Sequence, residues 1–392
     1  MLRHLQKCYQ KNSRIPVIIT NRNFLTNDYK CTESWDTINS SPIINKINLN
    51  DFYNQLDINY SSKGSISAID IDIFAHAVKE TDHLDELKDL LHKLRLSAET
   101  GNMLDSTHHA TIRNFIKFGY IEELVGILRD PLNFGVFLDN YTANILLDEL
   151  VKSEKYELAA NVASLVMLQE EFSNELTCSL CQYACYKYIT NYTVPEPAPT
   201  EDPKQKKVEE IKIRVKFLRN PYFDDHFDIK DTLVLAGKSL AWISDQRNDN
   251  LNNNLQIVGW MIYKKYEKLL AFCNHVSSLP TTKIFPEVLN LLEKGKSVDP
   301  ENTESLDKCI GILSKIEQNS ADVNLEESLK IVIENAINKV QNKDVQMQKQ
   351  TQMKEDEQKL WFFENEEKID LQIEEKEQMV ETTNTKKTTT NT

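Results

Sequence analysis

One stretch of this sequence recurs at a fixed offset, and that recurrence limits the possible folds more than any other feature. Phe115-Ile-Lys-Phe-Gly-Tyr-Ile-Glu-Glu-Leu-Val-Gly-Ile-Leu128 lies over Leu150-Val-Lys-Ser-Glu-Lys-Tyr-Glu-Leu-Ala-Ala-Asn-Val-Ala163, 35 residues later, without a gap. In the second copy Tyr156, Ala159, Ala160, Ala163, Val166 and Met167 fall on one face at the helical period of about 3.6 residues. Ile121, Leu124, Val125 and Leu128 do the same in the first copy. Each copy therefore predicts helix, turn, helix. A weaker copy, Leu84-Asp-Glu-Leu87, precedes Ile121-Glu-Glu-Leu124 by 37 residues and carries Leu84, Leu87, Leu91 and Leu94 on one face. Three hairpins are expected over residues 66–170. A lone hairpin cannot cover its own apolar surface, so neighbours must stack into an α-solenoid. The small Ala159 and Ala160 let helices approach closely.

Composition agrees with an all-α chain. Glycine supplies only 9 of 392 residues, too few for glycine-rich phosphate loops or turn-dense β-sandwiches. The formal charge of −14 makes the whole chain repel polyanions, so a nucleic-acid partner would have to be held by a local basic patch. Charge is unevenly placed. Residues 1–27 hold Arg3, Lys7, Lys11, Arg14 and Arg22 and no acid, which leaves −19 for the remainder. As a helix, residues 2–14 would set Leu2, Leu5 and Tyr9 against a basic stripe, the pattern of a mitochondrial transit peptide over 1–27; a disordered terminus is the plainer alternative. The most apolar later stretch, Leu255–Tyr263, falls well short of the roughly 20 residues a bilayer requires, so no membrane association is expected.

Val194-Pro-Glu-Pro-Ala-Pro-Thr-Glu-Asp-Pro203 forbids helix and predicts an extended linker. Beyond it, Ile211, Ile213, Val215 and Phe217 alternate with Lys212, Arg214 and Lys216, which reads as a strand or as a poor helix start. Lys204, Lys206, Lys207, Lys212, Arg214, Lys216 and Arg219 oppose only Glu209 and Glu210, a local +5 in an acidic chain. That basic segment is the expected RNA contact; a solvated cationic strand balancing acidic helices is the bland reading. The chain then divides into helical repeats over 60–190, a linker and basic segment over 191–230, and a helical region over 231–348 that continues the solenoid. A charged helix over 349–381 and a disordered tail over 382–392 complete it. Helices are expected near 231–246, 255–274, 283–295, 302–318 and 325–348, with Asp231, Asp299 and Asn324 as caps.

Motifs that could carry chemistry are incomplete. Gly237-Lys238-Ser239 lacks the earlier glycine of a phosphate loop and should continue a helix. Asp224, Asp225, His226 and Asp228 lack the central glycine and final glutamate of a calcium loop. Cys178, Cys181 and Cys185 fit one helical stripe and read as core thiols, so no metal is assigned. His108 and His109 point about 100° apart on a helix and have no nucleophile beside them, so they are placed on the surface or in a groove. No catalytic residue, cofactor or small-molecule substrate is expected.

The best-preserved unit carries Asp139, Thr142, Asn144, Leu147, Lys152, Tyr156, Ala159 and Met167. It resembles the pentatricopeptide repeat family, whose repeats open on Asp, Thr and Asn and pack an Ala from the second helix. That resemblance implies that Asn144 and His109 stand where such repeats select a base, with Asp139 at the companion position for the preceding repeat. His109 replaces the usual Asn, Thr or Ser, and three imperfect units would read only a few bases. Phe134-Gly-Val-Phe-Leu-Asp-Asn-Tyr-Thr-Ala-Asn-Ile-Leu-Leu-Asp148, followed by Tyr156 and Val166-Met-Leu-Gln-Glu-Glu-Phe172, is similar to a family of small-subunit proteins of the mitochondrial ribosome. This implies a matrix protein binding small-subunit ribosomal RNA and neighbouring ribosomal proteins. The alternative is a free pentatricopeptide RNA-processing or translation factor, which the acidic body disfavours.

Overall fold

A computed structural model of the chain describes residues 24–39, 44, 47–193, 229–279, 282–299, 302–316 and 324–354. The described residues are helical with no strand among them. After α1 (Thr32–Asn39) and α2 (Leu49–Lys63) come the pairs α3 (Ala68–Ala77) and α4 (His83–Leu96), then α5 (Asp105–Phe118) and α6 (Ile121–Leu128). A short α7 (Pro131–Phe134) leads to α8 (Asn140–Lys152) and α9 (Tyr156–Leu168), then α10 (Glu175–Asn191) and α11 (Thr232–Asp245). The pairs α12 (Asn250–Ile262) with α13 (Tyr266–Ser278) and α14 (Pro286–Val298) with α15 (Thr303–Leu313) follow, and a long α16 spans residues 324–354 from its cap onward.

Three of these hairpins turn in the same way. Their turn residues Gly119, Glu154 and Lys264 have φ of 83°, 56° and 60°. The next N–H then reaches back five residues: Tyr120 to the Phe115 carbonyl at 3.0 Å, Lys155 to Leu150 at 2.9 Å, Lys265 to Trp260 at 3.2 Å. This left-handed closure satisfies carbonyls that the ending helix would otherwise orphan. The expected single helix over 255–274 is therefore two helices, broken at Lys264. The sequence gives the reason: Lys264-Lys265-Tyr266-Glu267 repeats Glu154-Lys155-Tyr156-Glu157 at an offset of 110.

The apolar stripes read from the sequence lie inside. Leu84, Leu87, Leu91 and Leu94 are buried on α4, as are Leu124 and Val125 on α6 and Ala159, Ala160 and Ala163 on α9. They belong to one core that runs from Leu25 to Ile337. At the α11–α12 crossing the backbones are closer still. A Cβ on Gly259 would lie 2.5 Å from the Ala241 nitrogen, so only glycine fits there. Lys238 is wholly buried within α11, with Nζ 4.7 Å from the Trp242 ring centre, so Gly237-Lys238-Ser239 continues a helix as expected.

The proline-rich interruption does not separate two blocks of hairpins. α11 packs back on α10: Gln182 Nε2 donates to Ser244 Oγ at 3.0 Å, and the Tyr188 and Thr232 hydroxyls meet at 2.8 Å. The helices that flank the interruption thus pair with each other as one hairpin. The expected strand, the seven cations at 204–219 and the tail over 382–392 lie outside the described residues. Asp231 and Asn324 cap their helices, accepting from the Leu233 and Glu327 N–H groups. Asp299 does not start α15; it ends α14, and its carboxylate accepts from the Tyr266 hydroxyl at 2.6 Å.

The last helix departs from the expected plan. α16 runs on past residue 348 to 354 and folds back over earlier hairpins rather than adding to the end of the stack. Glu326 meets Lys187 and Tyr183, Lys339 meets Glu175, and Gln348 meets His109, so its path is antiparallel to α10 and then crosses to α5. No helix among the described residues is long and apolar enough to cross a membrane.

Candidate nucleic-acid interface

In five of the six hairpins the residue five places after the first-helix cap position is polar and inward, Asp72 after Ser67, His109 after Leu104, Asn144 after Asp139, Ser179 after Asn174 and Asn254 after Asp249, whereas in α14 it is the exposed Asn290. All five are buried. A buried polar group must find partners within the fold, and these do. Asp72 Oδ1 accepts from Ser106 Oγ at 2.6 Å and Thr107 Oγ1 at 2.9 Å, tying α3 to the start of α5. Asn254 donates to the Lys283 carbonyl at 2.9 Å and accepts from the Phe285 N–H at 3.1 Å, tying α12 to the entry of α14. Ser179 caps back on the Glu175 carbonyl within its own helix.

Asn144 has no exposed surface, and its Nδ2 donates to the Tyr29 hydroxyl at 2.9 Å. Tyr29 belongs to an N-terminal segment laid across α5 and α8. The Leu25 N–H donates to the buried Asp148 carboxylate at 3.1 Å, and Tyr141 OH donates to the Tyr29 carbonyl at 2.9 Å. The Arg113 guanidinium donates to the Lys30 carbonyl and stands 4.9 Å over the Trp35 ring. Burial pushes the Tyr29 and Tyr141 hydroxyls well above the ordinary tyrosine range, so both stay neutral hydrogen-bonding groups.

His109 is also buried, at 7% exposure, and lines a groove rather than the outer surface. Gln348 of α16 contacts its Nδ1 at 2.9 Å, and Asp139 Oδ2 lies 3.3 Å from its Nε2. The amide carries both a donor and an acceptor, so it can meet either tautomer of the ring. Burial alone would raise the Asp139 carboxyl, but the hydrogen bond and charge of His109 and the Thr142 hydrogen bonds hold it at about 2. Beside this triad is an open cleft of about 920 Å³ between α16 and the starts of α5, α8 and α10. Its carboxylates Asp105, Asp139, Glu171, Glu175 and Asp344 outnumber Lys339 and Lys343. Asp344 accepts from the Tyr29 hydroxyl at 3.1 Å, and Gln341 donates to Thr26 at 2.9 Å.

The structure thus brings His109 and Asn144 into one region, but covers both with the chain's own N-terminal segment and α16. The sequence pointed to neither cover. On α16 the inward stripe is apolar at Leu325, Leu329, Ile333 and Ile337, then passes through Gln341 and Asp344 to Gln348 and Gln352. Its period could have been followed, but amides do not register as an apolar face. Cys178, Cys181 and Cys185 are buried on α10, where burial raises all three thiols, Cys185 to about 12. As neutral thiols they pack as small apolar groups. No cluster of three or more metal-ligating side chains occurs among the described residues.

Stacked helical hairpins braced from within by buried polar side chains define the class of the protein as all-α. A family model of the mitochondrial 28S ribosomal protein S27 matches residues 1–392, and the chain belongs to that family. Membership makes it a protein of the mitochondrial small ribosomal subunit.

Proposed function

We propose that the chain is a structural, non-catalytic adaptor in that subunit: an α-solenoid of pentatricopeptide-like hairpins that joins small-subunit ribosomal RNA to neighbouring ribosomal proteins in the mitochondrial matrix. The observation that carries this reading is the burial of the polar first-helix positions. Side chains that a free RNA-reading repeat would present to bases are spent here on Ser106, Thr107, Lys283, Phe285 and Tyr29. A body braced in this way keeps a fixed shape, which is what an adaptor in a large assembly needs. It leaves the free RNA-processing factor without a reading surface at His109 and Asn144.

The RNA contact of this reading is the basic segment Lys204, Lys206, Lys207, Lys212, Arg214, Lys216 and Arg219, which lies in the sequence between α10 and α11. In this reading residues 1–27 carry the import leader, and cleavage ahead of Phe24 would keep the Phe24–Tyr183 ring contact at 5.1 Å and the Leu25–Asp148 hydrogen bond. Gradient sedimentation of mitochondrial lysate tests the main point: co-migration with the small subunit is expected, and a light, RNase-insensitive peak overturns it. The Lys212→Glu, Arg214→Glu, Lys216→Glu chain should leave the subunit at lower salt than wild type with its helix content unchanged.

A further inference from the structure

The first and second halves of α16 differ in kind. Leu325, Leu329, Ile333, Ala336 and Ile337 bury an apolar stripe against the core, whereas residues 338–354 turn amides inward and lysines outward. Over 338–354 the charged residues are Lys339, Lys343, Lys349, Lys354 and Asp344, so four cations minus one anion give +3 in a chain of −14. The anion is directed inward to Tyr29. All four lysines are exposed. Lys339, Lys343, Gln346, Gln350 and Lys354 follow one another at i, i+4, i+7, i+11 and i+15, which places them on one side of the helix, with Lys349 at its flank. At about 1.5 Å per residue the row extends about 22 Å.

We propose that this outer face of α16 is a second RNA contact that grips the phosphate backbone; the inference rests on the RNA-binding reading above. Three observations favour RNA over a protein. Lysine is depleted at protein interfaces, whose centres need aromatic or aliphatic anchors, and the large apolar side chains exposed on this half of α16 are only Met347 and Met353. Lysine and the amides of Asn338, Asn342, Gln346 and Gln350 are the donor types that meet phosphate and sugar oxygens. The helix is also held in place from below, at Thr26, Tyr29 and His109, so the backbone that carries these cations is fixed before any partner arrives. Lys339 has a Glu175 partner at 3.4 Å but remains 65% exposed, while Lys343, Lys349 and Lys354 have no ion pair among the described residues. Lys339 and Lys343 stand at the rim of the acidic cleft, whose carboxylates disfavour RNA inside it, so the contact follows the outer edge of α16.

The test uses the full chain and a transcript of the mitochondrial small-subunit ribosomal RNA, with affinity followed across a salt series. The variant Lys343→Gln, Lys349→Gln, Lys354→Gln keeps the Lys339–Glu175 pair and a side chain of good helix propensity at each position. Its slope of log affinity against log salt should fall by about 2, while the three-arginine variant keeps the wild-type slope. Helix content should match wild type in both. If wild type binds RNA and the three-glutamine chain retains the same affinity and slope, this face is not a contact, and the basic segment at 204–219 carries the binding alone. If wild type shows no salt-dependent binding to the transcript, the RNA reading itself fails. Competition by polyglutamate as strong as that of the transcript at equal charge would overturn the proposal in favour of an acidic protein partner.

Discussion

Two hairpins in this molecule are near copies, α8–α9 and α12–α13. Asp139-Asn140-x-Thr142-x-Asn144 stands over Asp249-Asn250-x-Asn252-x-Asn254 at an offset of 110, and the turns at Glu154 and Lys264 share one geometry. Both aspartates cap their helices, accepting from the N–H of the third residue on at 2.8 Å. The two asparagines then diverge. Asn254 makes hydrogen bonds to the backbone that enters the next hairpin, whereas Asn144 reaches a tyrosine 115 residues away in the N-terminal segment. One local plan thus serves two ends: in α12 it fixes the spacing of successive hairpins, and in α8 it fastens the cover over the first-helix face. The same position is a brace in both, which is why neither asparagine is available to a ligand.

The difference can be broken by truncating each amide. Asn254→Ala strands a buried Phe285 N–H and removes a donor from the Lys283 carbonyl, so it should destabilise the chain by about 3 kcal/mol. Asn144→Ala loses one bond to Tyr29, and its Oδ1 has no partner to lose, so about 1 kcal/mol is expected. Denaturant melts of the full-length variants measure both. Equal losses would mean that the two amides do the same work and that the comparison is mistaken.

What the sequence disclosed follows from the same chemistry. The 35-residue offset exposed α5–α6 and α8–α9 because both copies keep apolar residues at helical spacing, Leu and Val in one and mainly Ala in the other, and those residues are buried. α12–α13 escaped because its first helix opens on Asn252, Asn253 and Asn254 and its turn carries lysines, so a search weighted on apolar residues ran straight through Lys264. The site was less legible than the fold. His109 and Asn144 each lie in the first turns of their helices, α5 and α8, but position on a helix says nothing about what lies over it. The covers are Tyr29, 115 residues before Asn144, and Gln348, 239 residues after His109, joined to them by polar contacts that leave no local pattern.

A smaller effect separates the two caps. Asp139 faces His109, and its folded carboxyl lies near 2, below the unfolded value of about 4. A depressed carboxyl contributes stability that is complete above the unfolded value and is lost as pH falls from about 4 towards 2. Asp139→Asn keeps an amide able to cap, so it removes the charge alone. Wild type should exceed this variant by no more than about 1 kcal/mol at neutral pH, because the carboxylate is half exposed and screened. The gap should close on acidification. A constant gap between pH 6 and pH 2, measured by urea melts, would show that the imidazole contributes nothing through charge.

The smallest effect concerns the shared turn. Gly119 takes φ of 83° at no steric expense, but Glu154 and Lys264 hold the same left-handed region with a Cβ in place. That conformation disfavours an L-residue by about 1–2 kcal/mol, and glycine returns part of the relief through its larger unfolded-state entropy. Glu154→Gly and Lys264→Gly should therefore each stabilise the chain by about 0.5–1 kcal/mol. Gly119→Ala should destabilise it by a similar amount, since a Cβ there would meet no neighbour within 4 Å and only the backbone strain remains. The three substitutions use one geometry with opposite starting points, so their melting shifts must carry opposite signs. A destabilised Glu154→Gly chain would show that the Glu154 side chain supports the α8–α9 turn in a way that the Lys264 side chain of α12–α13 does not.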